Sequence, residues 1–128
     1  MPHTILIVDD DPQIRRLCTI ALEEHGYWVG VESNGKEALA AIAKLSFDLI
    51  VLDLCMPDMD GLEFLNVVRV TLPQLKIVVI SGYMGGTMLT AARYLGGTAT
   101  LAKPFSPEAL LSLVDRVLAE AGPVTTSD

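Results

Sequence analysis

Asp9, Asp10, Asp53, Ser81 and Lys103 are the residues whose types and positions in this sequence could do chemistry. Each follows a short apolar run. Ile5 to Val8 leads into Asp9-Asp10-Asp11, Leu49 to Leu52 into Asp53, and Ile77 to Ile80 into Ser81, while a fourth segment ends at Lys103-Pro104. Carboxylates gathered within a few ångströms repel one another and raise at least one pKa unless a cation intervenes. Magnesium suits such a place, because it takes oxygen ligands, keeps several waters and commonly uses one or two carboxylates with a phosphate oxygen. Two acids can then hold the ion while the third attacks phosphorus to give an acyl phosphate. A lysine ammonium can neutralise a phosphoryl oxygen as a point charge, and a serine hydroxyl can donate a hydrogen bond to another. Gly82 leaves room beside Ser81 for a water or a large donor, and Pro104 fixes the chain after Lys103.

These groups meet only if their strands are parallel neighbours. Apolar runs alternate with segments of helical period, predicting strands near 4 to 8, 28 to 32, 48 to 52, 76 to 80 and 98 to 102, with helices in the gaps. The first helix, Pro12 to His25, places Ile14, Leu17, Cys18, Ala21 and Leu22 on one stripe and stops at Gly26. Asp11 before Pro12 reads as its cap. The second starts after Ser33-Asn34-Gly35 and should bury Leu39, Ile42 and Leu45; the third follows Asp60-Gly61 with Leu62, Leu65 and Val68 inward. A further helix lies between the fourth and fifth strands. The last is announced by Ser106 as a cap and Pro107 in its first turn, with Leu110, Leu113, Val114 and Val117 on one stripe. Repeated strand-helix-strand units with short connections give right-handed crossovers, hence an α/β, doubly wound parallel sheet with helices on both faces.

The chain has 128 residues, which suits one domain, and a hydrophobic content of 51%, which suits a sheet covered on both sides. Its longest apolar runs are strand-sized, too short to span a bilayer. Sixteen acidic against nine basic residues give a net charge of −7, which works against a phosphate backbone and against anionic membranes. Direct nucleic-acid and membrane partners are therefore not expected. Cys18 and Cys55 lack disulfide or zinc spacing, and no signal peptide is evident at Met1-Pro2-His3-Thr4, so a reducing, cytoplasmic setting is the simpler reading.

Four stretches in order resemble the receiver domains of two-component response regulators. They are Ile5-Leu6-Ile7-Val8-Asp9-Asp10-Asp11, then Asp53-Leu54-Cys55-Met56-Pro57-Asp58-Met59-Asp60-Gly61, then Val78-Val79-Ile80-Ser81-Gly82, then Lys103-Pro104-Phe105. The resemblance implies a five-stranded sheet in the flavodoxin-like order 2-1-3-4-5. It implies that Asp53 accepts a phosphoryl group and that Asp9 and Asp10 organise Mg2+, Asp10 more directly, with the Cys55 backbone carbonyl as a further ligand. Ser81 would sense the phosphoryl group and Lys103 neutralise it. The donor would be a phosphohistidine on a sensor histidine kinase or phosphotransfer protein. The output would be a changed surface around the helix before the fifth strand, that strand and the last helix. The receiver would occupy residues 1–121, with 122–128 a loose tail or the start of a linker.

The sequence departs from the family at the switch position three residues before the lysine, where an aromatic ring is frequent and Thr100 stands here. The expectation is then a signal carried by backbone or helix movement, eased by Gly85-Gly86 and Gly96-Gly97. Three rivals share parts of the pattern. A pseudo-receiver interaction module would leave the acids and Lys103 without use. A magnesium-dependent aspartyl phosphatase usually carries a second acid two residues after its nucleophile, where this chain has Cys55. A flavin carrier should have a turn after the first strand rich in Ser, Thr and Gly rather than Asp-Asp-Asp-Pro.

Other residues have plainer readings. Near carboxylates, Cys55 is an inert thiol lending its carbonyl, and Cys18 is core. Met84 and Met88 read as core packing or an adaptable contact. Leu111 and Leu118 widen the last helical stripe beyond what one sheet face needs, which suggests a homodimer or a docked partner on that side. Arg15-Arg16 fit either an exposed face or a partner contact. His3 and His25 have no partner in view and receive no role.

Overall fold

The computed structural model describes residues 2–54, 59, 61–82 and 96–120. The elements run β1 (Thr4–Val8), α1 (Pro12–Glu24), β2 (Trp28–Glu32), α2 (Gly35–Lys44), β3 (Leu49–Asp53), α3 (Gly61–Thr71), β4 (Lys76–Ser81), β5 (Ala99–Ala102) and α4 (Pro107–Ala119). The five strands form one parallel sheet in the order β2-β1-β3-β4-β5, as expected. The predicted helix before β5, with Met84, Met88 and Gly85-Gly86, lies outside the described residues, as do Cys55, Asp60 and the tail.

Side chains on a strand alternate between faces, and here the alternation builds two cores. Ile5, Ile7, Leu49, Val51, Val78 and Ile80 face α1 and α4, meeting Cys18, Leu22, Leu110 and Val114. Leu6, Val8, Ile50, Leu52, Ile77 and Val79 face α2 and α3, meeting Ala38, Phe64, Leu65 and Val68. Because β1, β3 and β4 are buried on both faces, they read in the sequence as unbroken apolar runs.

The helix starts follow their capping chemistry. Asp11, Asn34 and Ser106 each accept a backbone N–H of the first turn, from Gln13, Glu37 and Ala109 respectively. Gly26 has φ +95°, the left-handed conformation that ends α1 one residue after its cap, His25. One expectation needs correction. Leu45 is 63% exposed rather than inward, because it is the extended C-cap of α2 and has left the helical stripe. It lines an open groove of about 400 Å³ with Phe47 and Leu72. Leu111 and Leu118, expected to widen the α4 stripe sideways, are half-buried against the α1-side core. Among the described residues no helix is long and apolar enough to cross a membrane.

Candidate functional site at the carboxyl edge of the sheet

Strand register brings the predicted residues level with one another. Val8 of β1 pairs with Leu52 of β3, so Asp9 and Asp53 are each the next residue along, and both continue the face that carries Ile7 and Val51. Asp53 pairs with Ile80, which puts Ser81 one step beyond it, and Ser81 pairs with Ala102, which puts Lys103 one step beyond that. A bond from Lys103 N–H to the Ser81 carbonyl (3.0 Å) holds this last step.

Asp9, Asp10 and Asp53 each offer a carboxylate oxygen, and the three oxygens lie within 4.8 Å of one another. Asp9 and Asp53 are buried and Asp10 is exposed. Asp9 Oδ1 accepts the Asp11 N–H at 2.9 Å. Asp9 Oδ2 is buried without an aligned hydrogen bond. It is approached instead by Lys103 Nζ at 3.1 Å, and the same ammonium lies 3.6 Å from Asp53 Oδ2. Burial alone would lower the Lys103 pKa, but Asp53, Asp9 and then Asp11 outweigh it and hold the ammonium above its ordinary value.

A buried oxygen lacking an aligned donor, within reach of two other carboxylates, suits a hard divalent cation. The donor set fits magnesium, with the exposed Asp10 on the side open to water. Ser81 is fully buried at the end of β4. The next residue, Gly82, is exposed; a Cβ there would come within 2.9 Å of Lys103 Cβ, so the glycine permits the close approach of the lysine stem. The Lys103-Pro104 peptide is cis. Thr100 is half-buried in β5, paired with Val79. Cys55 and its carbonyl lie outside the described residues. Burial first, and the nearby Asp9 second, push the Cys18 thiol up to about 12, against a smaller opposing effect of Lys103. It is an inert core residue.

The structure adds two arrangements that the sequence reading missed. Arg15, read as either an exposed face or a partner contact, folds back so that Nη1 donates to the Asp9 carbonyl at 2.8 Å. His25, read as partnerless, has Nε2 2.9 Å from Asp115 Oδ2, and the Tyr27 hydroxyl donates to the other oxygen of Asp115. His3 stacks on Tyr27 beside this group, at the opposite end of the sheet from the acids. An acid in α4 and a histidine 90 residues earlier leave no local pattern to find. Arg15 did leave a trace: it stands one turn after the Asp11 cap, where a long side chain can reach the loop.

The sequence profile described as the response regulator receiver domain matches residues 5–115. Response regulator MprA of Mycolicibacterium vanbaalenii is 37% identical over 123 residues, covering 96% of this chain and 53% of that protein. Nitrogen assimilation regulatory protein NtrX of Azorhizobium caulinodans is 36% identical over 120 residues, covering 92% of this chain and 26% of that protein. The chain thus spans about a quarter to a half of the length of these relatives. Among solved structures, chemotaxis response regulator CheY4 of Vibrio cholerae superposes with a TM-score of 0.85 at 34% identity, covering 91% of this chain and 99% of that one. A CheY-like response regulator receiver domain protein from Methanospirillum hungatei superposes with a TM-score of 0.88 at 32% identity, covering 92% and 94%.

Proposed function

This chain belongs to the response regulator receiver family, and from that premise we propose that it is a phosphoryl-accepting switch in which Asp53 is the acceptor. The observation that carries the reading is the convergence of three carboxylates and one ammonium at the carboxyl edge of a sheet, with Lys103 Nζ 3.6 Å from Asp53 Oδ2.

An oxygen of the Asp53 carboxylate attacks the phosphorus of a phosphohistidine on a sensor kinase or phosphotransfer protein. The new P–O bond forms as the P–N bond breaks, and the imidazole leaves with the bonding pair. Asp9 and Asp10, with Asp53 itself, would hold Mg2+, which would supply positive charge against the phosphoryl oxygens. Lys103 neutralises a further oxygen, and the Ser81 hydroxyl donates to another. Water attack on phosphorus later returns inorganic phosphate and the free carboxylate. The chain turns over no external metabolite; its output is a changed surface offered to a partner or an output domain. With Thr100 in the aromatic position, that change runs through backbone displacement near Gly96-Gly97 rather than through a swinging ring.

Intact mass after incubation with acetyl phosphate tests the proposal, comparing Mg2+ with chelator and the native chain with Asp53→Asn. One phosphoryl adduct that needs Mg2+ and is absent from the variant is the expected result. If the native chain takes up no phosphoryl group from acetyl phosphate or from a phosphohistidine donor, the pseudo-receiver reading replaces it.

A further inference from the structure

We infer that Arg15 is a positioning residue for the acidic loop, setting the direction of the Asp9 and Asp10 carboxylates toward the divalent cation; this rests on the metal site of the proposed function. The inference starts from how completely Asp9 is pinned. Its N–H donates to the Glu32 carbonyl (3.2 Å) and its Oδ1 accepts from Asp11 N–H (2.9 Å), while Oδ2 faces Lys103. The remaining polar group is its backbone carbonyl, and that is where Arg15 Nη1 donates, at 2.8 Å.

The Asp9 carbonyl and the Asp10 N–H belong to one planar peptide, so fixing the oxygen fixes the plane and with it the start of Asp10. Arg15 therefore orients both loop acids by holding an atom of neither carboxylate. Its own position is set by α1, where its N–H bonds the carbonyl of the capping Asp11 at 3.0 Å. The guanidinium is half-buried and reaches back six residues, whereas the adjacent Arg16 is exposed. A charged group behind the loop also offsets the mutual repulsion of the acids before an ion arrives.

Two effects of removing Arg15 oppose each other. Loss of a positive charge favours cation binding, while loss of the carbonyl anchor frees the peptide and disfavours it. The anchor acts on ligand geometry through a partly buried hydrogen bond one step removed from the carboxylates; partners that touch a ligand directly contribute about ten- to a hundredfold in metal affinity, so the lower end of that range is the expectation here. The geometric effect is therefore the larger.

Calorimetric titration of Mg2+ into the full chain tests this, using native protein, Arg15→Ala, Arg15→Lys and Arg16→Ala. The expected result is binding about tenfold or more weaker in Arg15→Ala, intermediate in Arg15→Lys, which can still donate to the carbonyl, and unchanged in Arg16→Ala. Phosphorylation of Arg15→Ala by acetyl phosphate should be slow at limiting Mg2+ and regain the native rate at saturation. A lower melting temperature in chelator with unchanged Mg2+ affinity would reduce Arg15 to a brace of α1 and overturn the inference. If Arg15→Ala does not fold, native affinity in a folded Arg15→Gln, whose side chain is too short to reach the carbonyl, overturns it equally. Absence of Mg2+ binding by the native chain would overturn the underlying metal reading, and this inference with it.

Discussion

The Lys103 ammonium sits nearer to Asp9 than to Asp53, at 3.1 Å from Asp9 Oδ2 against 3.6 Å from Asp53 Oδ2. The lysine leans on the acid proposed to hold the cation and not on the proposed phosphoacceptor alone. It supplies part of the charge that a metal ion would bring, and so competes with one.

Replacing Lys103 with Met, similar in length and without charge, should therefore tighten Mg2+ binding by about tenfold, since at an effective dielectric of about 20 a pair at this distance interacts by about 5 kcal/mol, more than the roughly 1.4 kcal/mol of a tenfold change. Phosphorylation should nonetheless slow. In chelator the variant should lose about 3 kcal/mol of stability, because two buried carboxylates lose the ammonium they share, and Mg2+ should restore much of it. Thermal unfolding with and without Mg2+ reads both effects, and equal Mg2+ affinity in the two proteins would refute the competition. In the native protein the raised Lys103 pKa contributes stability that is complete below the ordinary value of 10.5 and is lost as pH climbs through the native one.

Gly61→Ala should destabilise the fold by about 3 kcal/mol, because a Cβ there would lie 2.5 Å from Leu54 Cα and 2.6 Å from the Leu54 carbonyl oxygen, backbone that cannot rotate away. Leu54 follows Asp53 directly, so the damage should also reach phosphorylation. Urea unfolding and the acetyl phosphate assay measure the two consequences separately.

Gly82→Ala is gentler. The new methyl would sit 2.9 Å from Lys103 Cβ, an atom the backbone fixes, so the two chain segments must part by a few tenths of an ångström. Stability should fall by about 1–2 kcal/mol while the phosphorylation rate falls several-fold, since Lys103 is carried away with the backbone that holds it. A rate equal to that of the native protein would mean that Lys103 keeps its place.

The His25, Tyr27 and Asp115 group ties the end of α1 and the start of β2 to α4, and Asp115→Ala should cost about 1–2 kcal/mol. Burial, followed by the hydrogen bond to Asp115 and its charge, pushes the Tyr27 phenol up to about 12 from 10.0. A raised pKa on a group that is neutral when protonated contributes stability that is complete below about 10 and is lost as pH rises toward about 12. Asp115→Asn keeps an acceptor but removes the charge, so the Tyr27 titration, followed by the NMR shift of its ring carbons, should move back toward the ordinary value.

The legible parts of this molecule were those whose cause is local. A strand buried on both faces must be apolar throughout, so the polar residue that ends it stands out, and Asp9, Asp53 and Ser81 could each be placed from the preceding four residues. The caps at Asp11 and Ser106 were legible for the same reason. Leu45 misled because helical period continues on paper past the point where the backbone turns extended. Arg15 and His25 misled because their partners are set by folding rather than by neighbourhood. The Arg15 partner is a main-chain oxygen, which no residue type advertises, and Asp115 meets His25 only after α4 has docked beside α1.

Lys76 opens β4 and donates to the Val117 and Glu120 carbonyls at 2.7 and 2.6 Å, clamping the far end of α4; Ser81 closes the same strand about 17 Å away at the acidic edge. The near end of α4 is anchored at that edge too, since its cap, Ser106, comes three residues after Lys103. The helix is thus a beam pinned at both supports, and the strut joining those supports is a strand buried from Ile77 to Ser81. A beam held this way cannot swing like a door. If the proposed switch operates, a displacement at the acidic edge would reach it as a small roll or slide along its whole length, spread over a face instead of concentrated at a joint.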